Sequence, residues 1–193
     1  MDPLQRAEAW LRQDPDAETQ AALQALFDAG DTAEIEQEFS GDIAFGTAGL
    51  RGELGWGPRR MNRMVVARAA AGLGSWLLTR HPTPRVVVGF DARHQSEIFA
   101  RDTAEILHGL GVEALLLPRA LPTPVLAFAV RYLAADAGVM VTASHNPASD
   151  NGYKVYLGDG TQIAEPVDVE IVGHIAAVEN INELTRSTGF TVL

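Results

Sequence analysis

The chain predicts a three-layer α/β/α domain with a largely parallel mixed sheet, preceded by an N-terminal helical arm. Three features point there. Apolar runs of strand length alternate with helical periodicity from Arg85 to Val178. Caps and breakers separate those runs, among them Pro84, Ser96, Gly111 and the Gly158-Asp159-Gly160 turn. A length of 193 residues, 47% hydrophobic and 21% charged, suffices for one domain with its own core.

Residues 1–40 read as the arm. Leu4, Trp10 and Leu11 form an apolar stripe, and Leu23, Leu26 and Phe27 repeat it after the Asp14-Pro15-Asp16 break. Ile35 and Phe39 continue it after Asp31, a candidate N-cap. The texture changes at Gly41, so residues 41–193 are assigned to the α/β/α domain. Five glycines lie between Ile43 and Gly57, a density that marks tight turns or close backbone approach. Asn62 to Thr79 predicts a helix with Val65, Val66, Ala69, Leu73, Trp76 and Leu77 along one side. Arg85 to Phe90 is a buried strand, followed by a helix from Ser96, its N-cap, to Leu110, closed by Gly111. Val112 to Leu117 predicts a second strand, Thr123 to Leu133 a helix, and Ala137 to Thr142 a third strand. Gly152 to Leu157 and Gln162-Ile163 flank a hairpin turn, and a last helix runs from about Pro166 to Val178. Ser187 to Leu193 carries no terminator.

Charge and composition bound the function. A formal net charge of -10 argues against nucleic acid or an anionic membrane surface as partner. An anionic small molecule stays possible, because it needs only a few local cations and backbone N–H groups. The absence of cysteine excludes disulfides, thiolate metal sites and a Cys nucleophile. No apolar run reaches the roughly 18 residues of a membrane span, and the start lacks a basic-then-apolar leader. The cytoplasm is therefore the expected location. His81, His94, His108 and His174 are scattered without metal-ligand spacing, and Arg59, Arg60 and Arg63 read as a solvated face.

In folds of this kind functional groups sit in loops at the carboxyl ends of strands. Two loops qualify, Asp91 to Ser96 and Thr142 to Tyr153. The second runs Thr142-Ala143-Ser144-His145-Asn146-Pro147 and continues to Asn151-Gly152-Tyr153-Lys154. It holds a hydroxyl nucleophile close in sequence to imidazole, amide and amine. Adjacent Ser144 and His145 cannot readily aim at each other as in a catalytic triad. Phosphoryl transfer suits the loop better, since its catalysis is mostly positioning and charge neutralisation.

The runs TASHNP and NGYKVY resemble the active-site signature of the α-D-phosphohexomutases, the family of phosphoglucomutase and phosphomannomutase. Phe45-Gly46-Thr47-Ala48-Gly49-Leu50-Arg51-Gly52 is similar to the opening motif of that family, in the spelling of its phosphoglucomutase, phosphomannomutase and phosphopentomutase branch. Gly89-Phe90-Asp91-Ala92-Arg93 with Ser96 is a weaker third match, in which Asp91 and Arg93 can pair with each other or support the serine loop.

The resemblance implies a catalytic-serine domain. Ser144 would be the phosphoserine and one oxygen ligand of Mg²⁺. It would hand its phosphoryl group to a hexose or pentose monophosphate and regain one from a sugar 1,6-bisphosphate intermediate. His145 and Lys154 become candidates for acid/base work, with Lys154 ahead for contact with the phosphoryl group, and Arg51 would face the phosphoserine. Thr47, Gly49, Gly52, Asn146 and Arg93 join Arg51 as candidate phosphate contacts, Asn146 chiefly through loop geometry.

Only domain I of the family's four is covered. The aspartate-rich D-G-D-x-D metal loop of the second domain does not occur in this sequence. We therefore expect an incomplete Mg²⁺ site, little or no mutase turnover from this chain alone, and self-association through an exposed domain interface. The rival assignments are a stand-alone phosphosugar-binding or regulatory module and a serine phosphatase or hydrolase. The latter lacks the G-x-S-x-G elbow.

Overall fold

The computed structural model describes residues 2–47 and 49–193. Three short helices form the arm: α1 (Pro3–Leu11), α2 (Ala17–Ala29) and α3 (Thr32–Glu38). Each begins at an aspartate, Asp2, Asp16 or Asp31, whose carboxylate accepts from backbone N–H groups of the first turn. Ala7, Trp10, Leu23, Ile35 and Phe39 leave water and join the main core, with Trp10 edge-on to Phe39 at 5.8 Å between ring centroids.

Next come β1 (Leu50–Glu53), α4 (Arg63–Leu78), β2 (Arg85–Phe90), α5 (Ser96–Gly109), β3 (Glu113–Leu116), α6 (Thr123–Tyr132), β4 (Ala137–Val141), β5 (Asp150–Leu157), α7 (Val167–Ala176) and β6 (Thr191–Val192). The six strands form one sheet in the order β1-β5-β4-β2-β3-β6. β2, β3, β4 and β6 are parallel neighbours, while β5 lies antiparallel to both β4 and β1. The three layers are unequal. α4, α5 and α7 share a core with Val86, Val88, Val139 and Tyr153 on one face of the sheet. α6 covers Val87, Leu115, Met140 and Tyr156 on the other.

α4 is buried nearly all round, not along one stripe, because the sheet, α5 and α7 all pack on it. Two glycines make that possible. A Cβ on Gly72 would stand 2.7 Å from the Ile175 backbone nitrogen of α7, and one on Gly74 would stand 2.9 Å from Leu110 beyond α5.

Several local expectations change. The glycine-rich stretch contains a strand, β1, whose polar and glycine-broken sequence hides the pairing it makes. β6 lies in the ending, Ser187 to Leu193, to which the sequence assigns no element. Ser96 is not the cap of α5; Gln95 holds that position with a left-handed φ of 65°, and Ser96 begins the helix. Arg63 is not solvated. Its guanidinium makes two 2.7 Å bonds to the buried carboxylate of Asp102, which also accepts from Arg186 at 2.7 Å.

Gly72→Ala provides a test of the α4–α7 contact. Helix propensity favours alanine by about 1 kcal/mol, but overpacking costs about 1–3 kcal/mol, and backbone atoms cannot rotate away. With the cost at the upper end of that range, because the clash is with backbone, we expect a net loss of about 2 kcal/mol in urea unfolding; an unchanged or raised midpoint would show that α7 is not seated there.

Candidate active site

β4 ends at Val141 on the carboxyl edge of the parallel strands, and the chain turns sharply there. Thr142 N donates to Gly152 O at 3.0 Å, and Thr142 Oγ1 accepts from Ser144 N at 3.0 Å. Ser144 then takes a left-handed φ of 56°, an uncommon conformation for a residue with a side chain. Its hydroxyl stands out of the sheet edge, exposed together with His145.

The chain returns as β5, and the register sets what meets that hydroxyl. Met140 of β4 lies opposite Lys154 of β5, and Arg51 of β1 lies opposite Gly152. Lys154 Nζ donates to Ser144 Oγ at 2.6 Å, and Arg51 Nη1 donates to Asn146 Oδ1 at 3.2 Å. Lys154 is the only lysine in the chain. Partial burial pushes its amine below the ordinary lysine range, and the Arg51 charge pushes it further the same way.

Backbone proximity explains the glycines of the first motif. Gly49 has a φ of 73° and its N–H donates to Gly46 O at 2.7 Å, closing a tight turn. A Cβ on Gly49 would run into the Tyr153 carbonyl oxygen, so glycine lets β1 lie against β5. Thr47 is exposed, and its carbonyl accepts from Gln162 Nε2 at 2.7 Å. Gly52 pairs with Asn151 in the β1–β5 ladder. Ala48 of this motif lies outside the described residues.

Arg93 sits differently from a phosphate contact. Its Nη1 donates to the carbonyls of Pro147 at 2.6 Å and Asp150 at 3.1 Å. Its Nη2 donates to those of Ser144 at 3.0 Å and Asn146 at 2.9 Å. Nε faces Asp91 Oδ2 at 3.4 Å. The guanidinium thus grips the inside of the serine loop and leaves no nitrogen directed at an incoming anion.

Asp91 and Ser96 of the third motif lock this grip, together with Asn151 and Asp150. Asp91 Oδ1 accepts from Arg93 N at 3.0 Å and from Ser96 Oγ at 2.8 Å. Fully buried Asn151 donates to His94 O at 2.9 Å and to Ser96 Oγ at 3.0 Å. Asp150 Oδ2 accepts from Asn146 Nδ2 at 2.8 Å. Asn-Gly in sequence signals a turn, and nothing local marks Asn151 as a buried tie between two loops.

Ser144, Lys154, Arg51 and Asn146 therefore converge, while His145 lies exposed on the same loop and makes no side-chain hydrogen bond among the described residues. Such a site can hold and neutralise an anion on a hydroxyl. A resident Mg²⁺ is a different matter. Among the described residues no three His, Cys, Asp or Glu side chains gather to hold a metal. Ser144 Oγ is one oxygen already faced by an amine, whereas Mg²⁺ seeks near-octahedral oxygen ligation. These residues do not by themselves fit that ion.

Selective ¹⁵Nζ labelling of lysine should give one signal, titrating below the ordinary value of about 10.4. Arg51→Gln removes a repelling positive charge and should raise that midpoint; a midpoint at or above the ordinary value would contradict the geometry. Arg93→Met should cost about 2–3 kcal/mol, as expected for losing charge-assisted bonds, and open residues 142–150 to proteolysis. Arg93→Lys should recover only part of this, because a point charge cannot span four carbonyls. Stability and loop protection unchanged in Arg93→Met would argue against the grip.

Known proteins resemble this chain over most of its length. Residues 42–182 match the model of phosphoglucomutase/phosphomannomutase, alpha/beta/alpha domain I. The chain is 54% identical over 138 residues to a probable phosphomannomutase of Haemophilus influenzae, covering 69% of this chain and 28% of that protein. It is 43% identical over 172 residues to a phosphoribomutase of Saccharomyces cerevisiae, covering 87% of this chain and 28% of the relative. A solved structure from Thermus thermophilus, named as a phosphomannomutase, superposes with a TM-score of 0.71 at 36% identity, over 79% of this chain and 33% of its own. The chain thus spans about a third of the length of these relatives. It belongs to the phosphoglucomutase/phosphomannomutase family, as that family's α/β/α domain I.

Proposed function

We propose that this chain is the phosphoserine-bearing domain of an α-D-phosphohexomutase-type enzyme acting on an aldose monophosphate. The observation that carries this is the 2.6 Å contact between the amine of the only lysine and the exposed Ser144 hydroxyl. Relatives named phosphomannomutase and phosphoribomutase support a hexose or pentose phosphate as substrate.

In the step proposed, the phosphoryl group leaves Ser144 Oγ for a sugar hydroxyl oxygen. The P–Oγ bond breaks, a P–O bond to the sugar forms, and a sugar bisphosphate results. The departing Oγ takes a proton from the Lys154 ammonium, and the sugar hydroxyl gives its own to a base, for which exposed His145 is the candidate in this chain. Arg51, held toward the loop by Asn146, neutralises charge on the phosphoryl oxygens. Reversal with the reoriented bisphosphate restores phosphoserine. Mg²⁺ belongs to this proposal only as an ion that Ser144 shares with ligands outside this chain.

The remaining two-thirds of the relatives' length is then the chief partner, and full turnover needs it. Exposed apolar side chains such as Phe128 and Tyr132, stacked on α6 at 5.4 Å between centroids, are available to such domains or to a second copy.

Incubation with glucose 1,6-bisphosphate should add one phosphoryl group by intact mass, mapped to Ser144 and absent in Ser144→Ala. Lys154→Met should slow the addition about 100-fold or more, the scale of acid–base assistance. Addition at another residue, or undiminished addition in Ser144→Ala, would refute the assignment.

A further inference from the structure

A second cavity lies away from the serine loop, between α1, the segment leading into β1, α4 and α7. It encloses about 490 Å³, within the range of small-molecule sites. Its walls are largely apolar: Trp10, Phe45, Leu50, Val65 and Ile175 face it. Two guanidinium groups also border it, and they differ. Arg6 is spent, donating to Phe39 O at 2.8 Å and to both oxygens of Asp42 at 2.9 and 3.1 Å.

Arg68 is not. Only its Nε is used, donating to Val178 O at 3.0 Å, and its terminal nitrogens have no partner among the described residues. The nearby carboxylate, Asp42, is held by Arg6. Burial depresses the Arg68 guanidinium most, the Asp42 carboxylate offsets part of this, and the Arg6 charge adds to the depression. Arg68 is half-buried, so an anion entering the cavity can reach these terminal nitrogens. Trp10 adds a second unmet donor, since its buried indole N–H finds no acceptor among the described residues.

We propose that this cavity binds a small amphipathic carboxylate, with the anion on the Arg68 fork and an apolar acyl or aryl body against Trp10, Phe45, Leu50, Val65 and Ile175. The two free terminal nitrogens match the geometry of a carboxylate. A sugar phosphate fits poorly, because its hydroxyls would meet apolar walls without partners. The site is separate from the serine loop and does not depend on the phosphoryl-transfer assignment.

Octanoate is the probe, with 1-octanol as its uncharged counterpart, followed by the indole N–H signal of Trp10 among the three tryptophans. Octanoate should shift that signal saturably with a Kd below about 1 mM, and 1-octanol should bind about tenfold or more weakly. Arg68→Met should lose about tenfold in octanoate affinity, and Arg68→Lys should recover part of it. Should the variants fail to fold, the octanoate–octanol comparison on the unaltered protein still decides. No saturable shift, equal binding of the alcohol, or shifts confined to residues outside the cavity would overturn the proposal.

Discussion

β5 is antiparallel to a strand on each side, and the placement of the site depends on that pairing. Its register with β4 puts the lysine beside the serine ten residues earlier. Its register with β1 brings an arginine from a motif more than ninety residues away to the same edge. Neither pairing tolerates much bulk. Gly49 lies against the Tyr153 carbonyl, and a Cβ on Gly152 would come within 2.7 Å of the Thr142 carbonyl. Both motifs are therefore packing specifications as much as chemical ones. The glycines let three strand ends converge, and the polar side chains occupy the space so created.

Arg93 supplies the complementary constraint on the loop. A tight turn through a left-handed serine directs the carbonyl oxygens of Ser144, Asn146, Pro147 and Asp150 toward one point. One planar guanidinium donates to all four. Asp91, Ser96 and Asn151 fix the guanidinium in turn, so the strain at Ser144 is held by a chain of hydrogen bonds reaching the start of α5.

The distribution of charge follows the same economy. The chain is acidic overall, yet Arg51 and Lys154 are gathered at one edge, where burial and the Arg51 charge lower the lysine's preference for its charged form. Arg63 and Arg186 converge on buried Asp102, tying the N-terminus of α4 and the C-terminal segment to α5. Half-buried Arg68, unlike Arg63 and Arg186, has no carboxylate partner among the described residues, which sets the α1–α4–α7 cavity apart.

The alternation of strand and helix and the two loop motifs were legible along the chain, because periodicity, caps and short polar runs are local properties. The family resemblance rested on those same local runs, and the match over residues 42–182 agrees with it. What no local pattern contained was partnership. β1 and β6 are strands only because a neighbour's ladder is open beside them. Ser96 is a buried link and not a cap because Asp91 and Asn151 fold onto it. Arg93 resembles a free phosphate ligand until the loop wraps it, and Arg63 resembles a solvated charge until Asp102 is buried against it. Sequence determined which groups the protein owns and the elements that carry them. Tertiary structure decided which were left free to act, since a donor's availability depends on every acceptor the fold brings within three ångströms.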